Sequence, residues 1–132
     1  MKNLSFNILV ADDDEAIRCV VSAILRRHGH TVEVVDDGNE AIELFTLKPD
    51  YFDVLITDHN MPLVSGLELV HYLRKSGVQT RIIVISNELT SELMSAYQNK
   101  RVDKILQKPF TPGNLSSALN DILRQWKSAA SA

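Results

Sequence analysis

Asp58 closes the run Val54-Leu55-Ile56-Thr57 and stands four residues before Pro62. A short aliphatic run ended by a carboxylate and a proline reads as a buried strand that delivers one acidic group into the loop at its carboxyl end. Asp12 and Asp13 follow Ile8-Leu9-Val10-Ala11 in the same way, Ser86 follows Arg81-Ile82-Ile83-Val84-Ile85, and Lys108 follows Lys104-Ile105-Leu106-Gln107. If these strand ends share one rim, carboxylates crowd together beside an ammonium and a hydroxyl. Crowded carboxylates either raise a pKa or recruit a cation. Hard oxygen ligands beside open space suit Mg²⁺ (or Mn²⁺), which keeps several waters and uses few carboxylates. Such a set is equipped for phosphoryl transfer, which depends on positioning and charge neutralisation. Asp58 is then the nucleophile that becomes an aspartyl phosphate, with Asp13 and Asp58 on the metal. Lys108 offers a point charge to one phosphoryl oxygen, and the Ser86 hydroxyl donates to another.

The hydrophobic period of the chain alternates between strand and helix. After the first strand, Ile17, Val20, Val21, Ile24 and Leu25 recur at helical spacing, and Gly29 is placed to end that helix. Cys19 falls opposite this stripe and reads as an exposed thiol. Thr31 to Val35 forms a second strand, interrupted by Glu33. Asp36-Asp37-Gly38-Asn39 has the turn and N-cap chemistry to start a helix through Ala41, Ile42, Leu44 and Phe45. Gly66 to Lys75 makes a third helix with Leu67, Val70 and Leu73 inward. Leu89, Leu93 and Tyr97 mark a weaker fourth, and Pro112 opens a last helix striped by Leu115, Ala118, Leu119, Ile122, Leu123 and Trp126.

Five strands alternating with five helices predict an α/β fold with a parallel sheet covered on both faces. The apolar first, third and fourth strands belong in the centre, and the polar-tinged second and fifth at the edges. Right-handed crossovers then give the order 2-1-3-4-5, a flavodoxin-like (βα)5 doubly wound sheet whose ligands bind where the strand order reverses. That reversal places Asp12, Asp13 and Asp58 together. The expected domain is residues 1–127, with 128–132 a flexible tail or the start of a linker. A length of 132 residues suits one domain, and a net charge of −3 argues against a mainly electrostatic grip on nucleic acid. One cysteine excludes an internal disulfide. Asn3, Ser5 and Asn7 break up any apolar leader, and no run approaches the roughly 18 apolar residues of a membrane helix, so a cytoplasmic soluble protein is expected.

Ile8-Leu9-Val10-Ala11-Asp12-Asp13-Asp14, Asp58-His59-Asn60-Met61-Pro62 with Gly66, Ser86, and Lys108-Pro109-Phe110 occur in this order on the expected elements. Taken together they resemble the receiver domain of two-component response regulators, from about Asn7 to Trp126. The resemblance implies phosphorylation of Asp58 by a histidine kinase or histidine phosphotransfer protein, in a domain that catalyses only its own phosphorylation and dephosphorylation. It implies further that the Asn60 backbone carbonyl is a metal ligand, that Asp12 acts on the metal through a water, and that the Lys108–Pro109 bond is cis. It also implies an output partner engaged by the face of the fourth helix, fifth strand and last helix, and a monomer or phosphorylation-promoted dimer. Two positions depart from the commonest receiver pattern. Ile105 replaces the aromatic that swings inward with Ser86, and Asn87 replaces a small residue and narrows access. Asn60 and Glu88 match the types found in the chemotaxis receiver, where the aspartyl phosphate is short-lived.

Two other function classes compete. In a haloacid-dehalogenase-like phosphatase, Asp12 would be the nucleophile and Asp14 the general acid, which leaves Asp58 and Met61-Pro62 unexplained. A phosphorylation-independent interaction module would have no need of Asp12, Asp13, Asp58 and Lys108. The histidines at 28, 30, 59 and 71 lack metal-ligand spacing, and His59 reads as an exposed loop residue. Tyr97 and Trp126 read as packing, and Lys100, Arg101 and Lys104 as a basic patch.

Overall fold

The computed structural model describes the backbone of residues 5–131 and side chains through residue 125. The strands are β1 (Asn7–Ala11), β2 (Thr31–Val35), β3 (Val54–Asp58), β4 (Arg81–Ser86) and β5 (Lys104–Gln107). The helices are α1 (Glu15–Arg27), α2 (Gly38–Leu47), α3 (Gly66–Lys75), α4 (Ser91–Gln98) and α5 (Pro112–Ser131). All strand pairs are parallel, in the order β2-β1-β3-β4-β5. The aliphatic runs hold the centre: every residue of β3 is buried, while β2 and β5 carry exposed positions. Burial on both faces favours uninterrupted aliphatic sequence, and an edge tolerates Glu33 or Lys104.

Alternation along each strand splits the core into two layers. Leu9, Leu55, Ile82 and Val84 point to the side of α2, α3 and α4, where they meet Phe45, Leu69, Leu73 and Tyr97. Ile8, Val10, Ile56, Ile83 and Ile85 point to the side of α1 and α5, against Val21, Leu25, Leu115, Leu119 and Ile122. The stripe read for α1 is narrower than its spacing suggests. Val21 and Leu25 are buried, but Val20 is 52% exposed and lines a surface groove with Phe110 and Pro112. Leu89 lies ahead of α4, whose N-cap is Thr90. Cys19 is exposed as expected. The last helix continues to Ser131, past the point where a frayed tail is expected, and the Trp126 side chain lies outside the described residues.

Local chemistry fixes where the helices start. The Asp14 carboxylate accepts from the Ala16 and Ile17 N–H groups, Asp37 caps α2, and Ser65 and Glu68 close a reciprocal capping box on α3. Each cap contributes on the order of 1 kcal/mol. They matter here because helix starts lie at the same rim as the strand ends. The opposite rim is tied by Arg74, whose guanidinium donates to the carbonyls of Val78, Thr80, Lys100 and Arg101.

At that opposite rim His30 Nδ1 accepts the Phe6 N–H at 3.0 Å, and its ring stacks on Phe6. Burial, reinforced by His28, holds the His30 imidazole below its ordinary value. The unfolded chain therefore binds this proton more tightly, near about pH 6.5. Stability from the site is complete above that pH and is lost as pH falls through it toward the lower folded value. Denaturant unfolding between about pH 7.5 and 5.5 should show a loss of stability in the native protein that is smaller in His30→Asn, which keeps an acceptor for Phe6 and cannot titrate. Equal slopes in the two proteins would contradict this assignment.

Candidate functional site

Register places the chemistry on one rim. Ala11 pairs with Thr57, Asp58 with Ile85, and Ser86 with Gln107, so the next residues of β1 and β5, Asp12 and Lys108, flank Asp58. Carboxylate oxygens of Asp12, Asp13 and Asp58 all lie within 4.8 Å of one another. The Lys108 ammonium is 3.2 Å from Asp58 Oδ1 and 3.4 Å from Asp12 Oδ2. Asp12 and Asp58 are only 1% and 5% exposed, while Asp13 faces solvent. The Lys108–Pro109 bond is cis.

Each buried group is held by a specific contact. Asp12 Oδ1 accepts the Asp14 N–H at 2.9 Å, and its backbone carbonyl accepts from Arg18 Nη1 at 2.7 Å. The Asn60 N–H lies beside the Asp58 carboxylate and favours its charged form. Asp12 Oδ2 is buried without a hydrogen bond; Lys108 is in ion-pair range but does not complete one. A buried carboxylate oxygen left in this state is costly unless a cation or donor meets it.

Electrostatics follow from that arrangement. Burial, with the Asp13 charge adding to it, holds the Asp58 carboxyl above the ordinary aspartate range despite Lys108. Burial likewise raises Asp12, and the neighbouring Asp58 adds to this against the opposing Asp14 N–H and Lys108. Burial pulls the Lys108 ammonium down, but Asp12 and Asp58 outweigh it and the net shift is upward. Two partly desolvated carboxylates and an exposed third thus face one lysine, leaving an excess of negative charge suited to a divalent cation.

A scan against family models matches residues 8–120 to the response regulator receiver domain. The chain belongs to the receiver-domain family of response regulators. It is 35% identical over 124 residues to the response regulator MprA of Mycobacterium ulcerans, an alignment covering 94% of this chain and 53% of that protein. The chain therefore spans about half the length of the mycobacterial relatives it matches. The two-component response regulator ORR5 of Oryza sativa is 30% identical over 120 residues, with 89% of each chain covered. Among solved structures, the Vibrio cholerae chemotaxis protein CheY4 superposes with a TM-score of 0.81 at 32% identity, covering 89% of this chain and 98% of that one. The receiver is a signalling domain of two-component systems, and Asp12, Asp13 and Asp58 form an acidic cluster at this rim. Among the described residues, no helix is long and apolar enough to cross a membrane.

The remaining expected residues of the receiver surround this cluster. Ser86 is buried at the end of β4, with its hydroxyl donating to the Glu88 carbonyl at 2.8 Å and accepting the Glu88 N–H at 2.9 Å. Glu88 and Asn60 face each other across the pocket at 3.5 Å, and Asn87 is exposed at its margin. Ile105 is half-buried against the α3–α4 side of the core. The Asp14 carboxylate caps α1 through Oδ1. Two of the three cations in the supposed basic patch have partners, Lys104 with Asp121 and Lys100 with His71.

Sequence reasoning missed Arg18 and the true setting of His59. Arg18 reads as an ordinary polar position beside the α1 stripe, and only the approach of α1 to the acidic loop shows its contact. His59 is not a free loop histidine: its Nδ1 lies 2.5 Å from the Tyr97 hydroxyl.

Because the folded state binds the Asp58 proton more tightly than the unfolded chain, this group's favourable contribution exists at low pH and is lost as pH rises through its folded value. At neutral pH the fold bears the full penalty of the charge. Asp58→Asn should therefore raise the thermal unfolding midpoint at about pH 7.5 in EDTA, with the gain shrinking toward about pH 4 as the native carboxyl is protonated. A midpoint unchanged or lowered at neutral pH would contradict the electrostatic account.

Proposed function

We propose that this receiver accepts a phosphoryl group on Asp58 from a phosphohistidine of a sensor kinase or phosphotransfer protein. An Asp58 carboxylate oxygen attacks phosphorus as the bond from phosphorus to the donor imidazole nitrogen breaks. The electron pair returns to that nitrogen, and the product is an aspartyl phosphate. What supports the reading is the Asp58 carboxylate at the switch of strand order, flanked by Asp12 and Asp13 and 3.2 Å from the Lys108 ammonium.

The same pocket fits a hard divalent cation, since one of its buried carboxylate oxygens lacks a hydrogen bond. Asp13, Asp58 and the Asn60 carbonyl would hold Mg²⁺ or Mn²⁺ directly, and Asp12 through a water. When bound, the ion supplies charge neutralisation for the phosphoryl oxygens. Lys108 neutralises a further oxygen. Ser86 donates to the phosphoryl group after leaving Glu88, which frees the loop before α4. Asn87 narrows access to the pocket, whereas Asn60 and Glu88 are the pair of types that accompanies a short-lived acyl phosphate. The chain acts on no substrate beyond its own acceptor, forming and hydrolysing the acyl phosphate at a cytoplasmic site.

An approach to Asp58 is open to the donor from the side of Lys108, where α1 meets the β5–α5 loop. There Ile17, Val20 and Ile24 form an apolar groove with Phe110 and Pro112, beside Lys108 and Asn87. We assign that groove to the phosphodonor protein and the face of α4, β5 and α5 to the output partner, so that loading and reporting use different surfaces.

Incubation with acetyl phosphate and Mg²⁺, followed by intact-mass measurement, tests the acceptor. One phosphoryl adduct is expected, absent in Asp58→Asn and lost when EDTA replaces Mg²⁺. An adduct that persists in Asp58→Asn would move the acceptor elsewhere, and the absence of any adduct on the native chain would overturn the reading.

A further inference from the structure

The phosphoacceptor loop is tied to α4 by a single buried side chain on that helix. Tyr97 is wholly buried and is the one buried residue that α4 contributes to the fold. It belongs to the same buried cluster as Leu69, Leu73, Ile82 and Val84, against which Leu93, Val102 and Ile105 also pack. Its hydroxyl reaches the top of the sheet and lies 2.5 Å from His59 Nδ1, with the two rings edge to face. His59 follows the acceptor directly, and its backbone N–H donates to Ile85 at 2.9 Å while its carbonyl accepts from Gly66 at 2.8 Å.

Gly66 shows how close this junction is to Asp58. A Cβ at position 66 would stand 2.5 Å from the Asp58 carbonyl oxygen and 2.8 Å from the Tyr97 hydroxyl. The phenol and the acceptor backbone therefore converge on the same small volume, which only a glycine leaves open. A phenylalanine at 97 would fill the core equally well without burying a hydroxyl, and a buried hydroxyl costs free energy unless it is hydrogen-bonded. The bond to His59 removes that cost and makes the seat of α4 depend on the acceptor loop. Residue 105, an isoleucine, has no polar group with which to make such a link.

We propose that Tyr97 is a positioning residue that couples the state of Asp58 to α4, through its hydroxyl bond to His59. This rests on Asp58 being the phosphoacceptor. Conversion of the Asp58 carboxylate to an acyl phosphate replaces one negative charge by about two and sets three phosphoryl oxygens beside His59. Rearrangement of the acceptor loop around it strains or releases the His59–Tyr97 bond. Because Tyr97 is the buried anchor of α4, the helix shifts with it. The aromatic part of the switch thus operates from α4 itself, and Ile105 serves as apolar packing against it.

Hydrogen exchange across residues 87–98, with and without acetyl phosphate and Mg²⁺, tests the coupling in the native chain, in Tyr97→Phe and in His59→Phe. Intact mass of the same samples reports the adduct. The native chain should show a several-fold change in α4 exchange on phosphorylation. Tyr97→Phe should take up the same adduct, at the same acetyl phosphate concentration for half-labelling, while losing most of the α4 response. His59→Phe removes the other end of the same bond, so the double variant should respond no less than either single one. A response in Tyr97→Phe equal to that of the native chain would overturn the coupling while leaving the acceptor intact. No adduct on the native chain would overturn both. If Tyr97→Phe fails to fold, His59→Phe carries the same comparison, and a native-sized α4 response there overturns the proposal.

Discussion

Like charges held within bonding distance of a single cation are the constraint on which this receiver is built. Isolated in water, Asp12, Asp13 and Asp58 would separate; in the fold their oxygens are confined within 4.8 Å. The confinement is imposed by parallel strands in fixed register, so it cannot relax without disrupting ladder hydrogen bonds and two hydrophobic layers. Burial is the main cause of the upward shifts of Asp12 and Asp58, and repulsion from the neighbouring carboxylates adds to it. Lys108 offsets part of it, and its own upward shift is the same interaction seen from the other side.

The rest of the rim serves to keep those groups where they are. Arg18 holds the Asp12 carbonyl, Asp14 caps α1, and the Asn60 N–H meets Asp58. Ser86 and Glu88 lock the loop after β4 by a reciprocal pair of hydrogen bonds. These are short-range polar contacts at the ends of rigid aliphatic strands. A scaffold stiff below and bonded above gives the acceptor a defined position, while the loops above it remain able to rearrange.

Much of this was legible before any coordinates, for definite reasons. Aliphatic runs as uniform as Ile82-Ile83-Val84-Ile85 are tolerated only where both faces are covered, so the central strands and their order followed from composition. The acidic pocket then followed from topology, because Asp12 and Asp58 end neighbouring strands. Side-chain ties across the fold were not legible. Tyr97 sits at helical spacing like any core residue, and nothing in the spacing says that its hydroxyl ends on His59. Val20 lies on the α1 stripe yet is exposed, because helical period marks a face of the helix and not how much of it the rest of the fold covers.

Mg²⁺ titration monitored by thermal unfolding is the most direct measurement of the central claim. A site strained by excess negative charge should be relieved by a divalent ion that binds only the folded state, giving about 2.7 kcal/mol at a hundredfold excess over Kd. The unfolding midpoint should climb with Mg²⁺ along a one-site curve in the native chain, and the climb should be largely abolished in the Asp13→Asn, Asp58→Asn double variant. A native midpoint indifferent to Mg²⁺, or an equal climb in the double variant, would contradict the account.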